Sequence, residues 1–213
     1  MLTRALTTTA LLIVLPAAAL AQKPMAATYI TDEQVKAINK GPGVDRQIIS
    51  TDIGKLNLAV GIIHRGPTNA PPAAPAAGAK PAAPAAAAEP CGAQSSAAAA
   101  PGTATGIAHD HQTETYIIVS GGGTLVTGGR IVNGRKSAPD SQVTRVLNGP
   151  SCSGRIEGPD VVKRAVKTGD IIVIPAGVPH GWIDITDHVD YLSVRPDPDR
   201  VLPANYVHPS LKQ

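Results

Sequence analysis

"GIAHDHQTETYIIVSGGGTLVTGG", residues 106–129, sets two histidines and an aspartate at the mouth of an apolar run, with a glutamate close behind. The segment "TETYIIVSG" is rich in β-branched and aromatic residues, a composition that fits a pleated, half-buried surface, so it reads as a strand, with "GTLVTGGRIV" as the next. His109 and His111 lie two apart, and on a strand both imidazoles point to one face. If Gln112 and Thr113 make a two-residue turn, His111 and Glu114 stand directly opposite each other on that face, and the strand period adds Tyr116. A lone histidine in such a place is a solvated loop residue. Four metal-capable groups aimed together into an apolar interior are expensive to leave unpaired.

The rest of the chain supplies the strands that such an interior needs. Upstream, "DRQIIST" and "KLNLAVGIIHR" flank Asp52, Ile53 and Gly54 and read as a hairpin within residues 44–66. Downstream, "QVTRVL", "RAVKTGDIIVIPAGVPHGWIDI" and "DHVDYLSVRP" are further strand-rich runs broken by Gly, Pro and Ser. Short strands with glycine-containing turns predict an all-β sandwich or barrel with its core in residues 106–196. Strand and helix do not alternate, which excludes a doubly wound nucleotide fold. The glycines of "SGGGTLVTGG" precede no helix and cannot cradle a phosphate there. Phe is absent and there are only four Tyr and one Trp, so the core is built from Val, Ile, Leu and Ala.

The flanks are simpler. "YITDEQVKAINKGPG", in residues 22–43, predicts a short packing helix with Thr31 as N-cap, Gln34 completing a capping box and Gly41-Pro42-Gly43 as the stop. Residues 67–105 are dominated by Ala, Pro, Gly and Ser, and they read as a disordered or polyproline-like insertion within one domain. The Pro-punctuated tail, 197–213, is expected to wrap the surface.

Residues 1–21 carry one basic residue, a short apolar stretch and then Ala19-Leu20-Ala21, the pattern of a cleaved secretion signal. The stretch is too short to span a bilayer. The mature chain is therefore expected to be bacterial, periplasmic or secreted, with no membrane partner. The 19 Lys and Arg against 16 Asp and Glu leave, without Arg4, so small a basic excess that no nucleic-acid partner is expected. In an oxidising compartment the even pair Cys91 and Cys152 is expected to be bridged.

"GDIIVIPAGVPHGWID", residues 169–184, ends a buried run at Pro175, turns through Gly177 and delivers His180 to the start of another strand. Here the chain resembles the cupin superfamily. Its second motif, G(X)5PXG(X)2H(X)3N, is matched at Gly169, Pro175, Gly177 and His180, with Asp184 in place of Asn. Its first, G(X)5HXH(X)3-4E(X)6G, is matched at His109, His111, Glu114 and Gly121, with two residues between His111 and Glu114 and Thr103 at the leading glycine. The resemblance implies a small jelly-roll-like β-barrel and a divalent transition metal (Fe, Mn, Ni, Cu or Zn) held by His109, His111 and His180. Glu114 is the fourth ligand, or the short spacing displaces it and leaves three histidines.

Cupins include oxygenases, isomerases, lyases and plain binders, so fold alone does not name an activity. The first expectation is a metal-dependent, dioxygenase-like oxidoreductase acting on a small organic molecule, with Glu114 as ligand or base and Tyr116 as a donor or acid. The alternatives are a non-redox lyase or isomerase, and a non-catalytic binder of a metal or small molecule. Trp182 lines the same pocket or fills the barrel end. His64, His188 and His208 read as surface or structural residues, and sheet-edge pairing would allow a homodimer.

Overall fold

The computed structural model describes residues 26–68 and 88–211, so the expected secretion signal lies outside the described residues. The helix α1 (Asp32–Asn39) forms as its capping box predicts, with Thr31 Oγ1 accepting from the Gln34 backbone and Gln34 Oε1 accepting from the Thr31 backbone. It packs on the outside of the barrel, where Ile38 joins Ile48, Ile49 and Ile62.

Twelve strands follow: β1 (Asp45–Asp52), β2 (Asn57–Arg65), β3 (Pro90–Cys91), β4 (Thr105–His109), β5 (Glu114–Thr127), β6 (Arg130–Lys136), β7 (Ser151–Glu157), β8 (Val162–Lys167), β9 (Ile171–Ile174), β10 (His180–Ile183), β11 (Val189–Asp197) and β12 (Tyr206–Val207). All ladders between them are antiparallel. The expected hairpin is β1–β2. One sheet runs β12-β1-β2-β11-β5-β9 and the other β8-β5-β10-β4-β7-β6-β3, and β5 belongs to both. The architecture is a small antiparallel β-barrel of the jelly-roll kind.

β5 crosses between the sheets at Gly121. Its first half pairs with β9 and β11, its second with β8 and β10. Gly121 has φ 69°, and a Cβ there would run into the His188 carbonyl. Only glycine meets both demands at no steric cost. The interior then closes over Ile63, Tyr116, Ile118, Leu125, Trp182 and Tyr191. Trp182 fills this core beside Tyr191, at 5.4 Å between ring centroids.

Three expectations change. "QVTRVL" is not a strand: Val143–Leu147 is a π-helical turn closed by Asn148 N–H donating to the Val143 carbonyl. The 67–105 tract is not disordered throughout, because from residue 88 it carries β3, paired with β6, and Cys91 is disulfide-bonded to Cys152 on β7. Residues 69–87 of that tract lie outside the described residues. Third, β4 and β5 are not a hairpin. β10 lies between them, so residues 110–113 bridge across a strand and cannot be a two-residue turn.

Candidate metal centre

His109 ends β4, Glu114 begins β5 and His180 begins β10, so three strand ends converge inside one mouth of the barrel. β4 approaches β10 closely because Gly106 has no side chain, and a Cβ there would strike the His180 carbonyl. His109 Nε2 lies 3.2 Å and His180 Nε2 3.1 Å from Glu114 Oε2, and all three residues are buried. Among the described residues this is the one cluster of His, Cys, Asp or Glu whose ligand atoms converge closely enough to share an ion.

The proton positions follow from the outer partners. Ser151 Oγ donates to the Gly149 carbonyl, so it accepts at 2.8 Å from His109 Nδ1–H. His180 Nδ1–H donates to the Val178 carbonyl at 3.0 Å. Both imidazoles thus turn Nε2 towards Glu114. Asn148 Nδ2 donates to His109 Nε2 and to Glu114 Oε1, but His180 Nε2 is buried with no hydrogen-bond partner. Two imidazole nitrogens and a carboxylate oxygen meeting out of water need a cation or a proton among them. Nδ1 hydrogen bonds that fix the tautomer are the usual second layer of a metal–histidine site.

Glu114 is anchored on its other oxygen. Oε1 accepts from Arg195 Nε at 2.9 Å and Ser193 Oγ at 2.7 Å, while Oε2 accepts from Tyr116 Oη at 2.8 Å. Burial alone would push this carboxyl up, but Arg195 and then the histidines hold it well below the usual carboxylate range. Burial, reinforced by the Glu114 charge, pushes the Tyr116 phenol well up, so it stays protonated and donates. Arg195 also donates to Gln47, the Leu147 carbonyl and Asp45 Oδ2, the last at 2.6 Å.

The structure brings His109, Glu114, Tyr116 and His180 together and leaves His111 out. β4 ends at His109, so strand alternation no longer governs His111. Its half-exposed ring instead pairs Nδ1 with Asp199 Oδ2 at 2.6 Å. The next residue, Gln112, takes the buried position and donates to Asp197. Glu114, which the short spacing threatened to displace, sits at the centre. Asn148, Ser193 and Arg195 were missed. His64 and His188 are partly exposed and hydrogen-bonded to Asp190, and to Ser120 and Asp187. Asp184 adopts φ 54°, a left-handed turn that Asp and Asn tolerate best among residues with a side chain.

Burial lowers the His109 imidazole, against the pull of Glu114 beside it. The unfolded chain therefore takes up a proton near 6.5 that the folded chain refuses, so His109 contributes stability above that pH and loses it as pH falls. In chelator, the melting temperature of the wild type should drop between about pH 7 and pH 5 more steeply than that of His109→Gln. Equal slopes would mean that His109 does not titrate this way.

No family model matches the chain, and no curated protein does. Among solved structures it is similar to a protein with a double-stranded β-helix domain from Klebsiella pneumoniae, at 12% identity and TM-score 0.39 over 82% of this chain and 93% of that one. It is also similar to oxalate oxidase in complex with glycolate, at 12% and 0.34 over 75% and 54%. A third is the capsular polysaccharide assembling protein CapF of Staphylococcus aureus, at 12% and 0.30 over 76% and 32%. The chain spans about half the length of the oxalate oxidase and a third of CapF. These likenesses are of fold.

Proposed function

We propose that this chain is a metal-dependent cupin enzyme acting on a small organic molecule, with His109, Glu114 and His180 holding a divalent transition metal. The observation that carries the reading is His180 Nε2, buried and without a hydrogen-bond partner, facing the Glu114 carboxylate beside a second imidazole. Two histidines and one carboxylate are the donor set of non-haem iron oxygenases, with coordination positions left for substrate and oxygen. A redox-active metal bound there would supply the electrons and Lewis acidity of dioxygenase-like chemistry.

The chain's own groups divide the remaining work. Ser151 and the Val178 carbonyl fix which imidazole nitrogen faces inward. Arg195 and Ser193 occupy Glu114 Oε1 and leave Oε2 for the centre, which makes Glu114 a ligand and a poor base. Tyr116 keeps its proton and is the group that can hand one over. Asn148 adds an amide donor at the cavity wall. Two histidines and a glutamate are equally a catalytic zinc set, so a zinc occupant would favour the lyase or isomerase reading. The disulfide favours work in an oxidising compartment, as the expected export requires.

The test is metal content by mass spectrometry of residues 22–213, exported and never exposed to a nickel column. Near-stoichiometric metal is expected in the wild type and in His111→Ala, and loss in His109→Ala/His180→Ala. Iron, manganese, copper or nickel would lead to oxygen-uptake assays. No metal even after reconstitution would sink the enzymatic reading.

A further inference from the structure

The cavity over the cluster, about 280 Å³, is lined by His109, Glu114, Tyr116, Asn148 and His180, and by Arg65. Arg65 is the last residue of β2, on the inward phase set by Ala59 and Ile63. Its Nε donates to Tyr191 Oη at 2.9 Å, which fixes the plane of the guanidinium. Among the described residues its two terminal nitrogens meet no acceptor and no carboxylate within ion-pair distance. Arg195, which does not line the cavity, is by contrast fully engaged with Glu114, Asp45, Gln47 and the Leu147 carbonyl. A guanidinium held on one edge and open on the other is a fork suited to the two oxygens of a carboxylate.

The charge balance points the same way. Asp45 and Glu114 are offset by Arg65 and Arg195, so a divalent ion leaves the cavity with two positive charges in excess. Burial also pushes the Asp45 carboxyl up against the pull of Arg195, which does not reduce that excess. A cavity carrying uncompensated positive charge favours an anion. Its volume falls below the usual range for drug-sized ligands, which selects a small one.

We infer that the substrate of this site is a small carboxylate, its carboxyl group held by the terminal nitrogens of Arg65 while the remainder faces the metal. The inference rests on the metal reading above. Zinc-loaded protein, which cannot turn over by redox chemistry, would be titrated calorimetrically with acetate, malonate and the neutral isostere acetamide, with zinc content measured on the same samples. Acetate or malonate should bind and acetamide should not. Arg65→Gln should weaken the carboxylate about 10- to 100-fold with zinc still stoichiometric, the range expected for losing hydrogen bonds to a charged group. Arg65→Lys, which keeps the charge and loses the fork, should fall between. Undiminished carboxylate affinity in Arg65→Gln with zinc retained, or equal binding of acetamide, overturns the inference and leaves the metal centre standing. A wild-type chain that takes up neither zinc nor any other divalent transition metal overturns both. A near-ultraviolet circular dichroism spectrum matching the wild type shows that the Tyr191 environment survives the substitution.

Discussion

Arg195→Met should destabilise the metal-free protein by about 3–5 kcal/mol in urea unfolding, because removing one partner of a buried ion pair leaves the other charge uncompensated. Arg195 is completely buried and is the only arginine or lysine in ion-pair contact with either Glu114 or Asp45 among the described residues. Without it, two carboxylates share one wall, and at least one must take up a proton to stay there. Arg195→Met/Asp45→Asn should recover part of the loss, since one of the stranded charges goes with Asp45. A loss below about 1 kcal/mol in the single variant would show that water reaches Glu114 and that the wall is not dry. The same substitution frees Glu114 Oε1, so metal affinity is expected to fall even where the fold persists.

That arginine shows where the sequence ran out. In "VDYLSVRPD" the alternation of β11 is plain, but the buried phase carries Tyr191, Ser193, Arg195 and Asp197, while Leu192 and Val194 lie on the outer side. A rule that turns apolar residues inward puts Arg195 in water. The phase could have been taken from Tyr191, yet nothing local says that an arginine deserves it. Its partners Asp45 and Glu114 are distant in sequence, and only the β1-β2-β11-β5 order unites them. His109, Glu114 and His180 were legible because motif spacing ties each to a strand end. His111 was misplaced for the complementary reason: period-two reasoning ran past the end of β4. Asn148 was invisible because β-branched "QVTRVL" resembles a strand and is instead a π-helical turn whose C-cap, Asn148, reaches the cavity.

Replacing both cysteines, Cys91→Ala/Cys152→Ala, should lower stability by several kcal/mol. The bridge spans a sequence separation of 61, and the chain-entropy relation for a loop of that length gives about 4 kcal/mol, at the upper end of what natural bridges contribute. Besides the bridge, the segment 88–105 is held by the two-residue β3, by Asn133 with Ser95 and Arg155 with the Ala97 carbonyl, and by the exposed ion pair of Lys136 with Glu89, which is of small worth. The consequence should not stop at residues 88–105. Cys152 follows Ser151 on β7, and Ser151 fixes the tautomer of His109, so a loosened β7 relaxes one ligand of the metal centre. Urea unfolding and metal content, measured on the same variant, separate the two effects. Lower stability with full metal content would confine the bridge to anchoring residues 88–105, whereas loss of both would make β7 the link between that anchor and the metal. A change below about 1 kcal/mol would mean that the unfolded chain is already restrained in this region, against the loop-entropy argument.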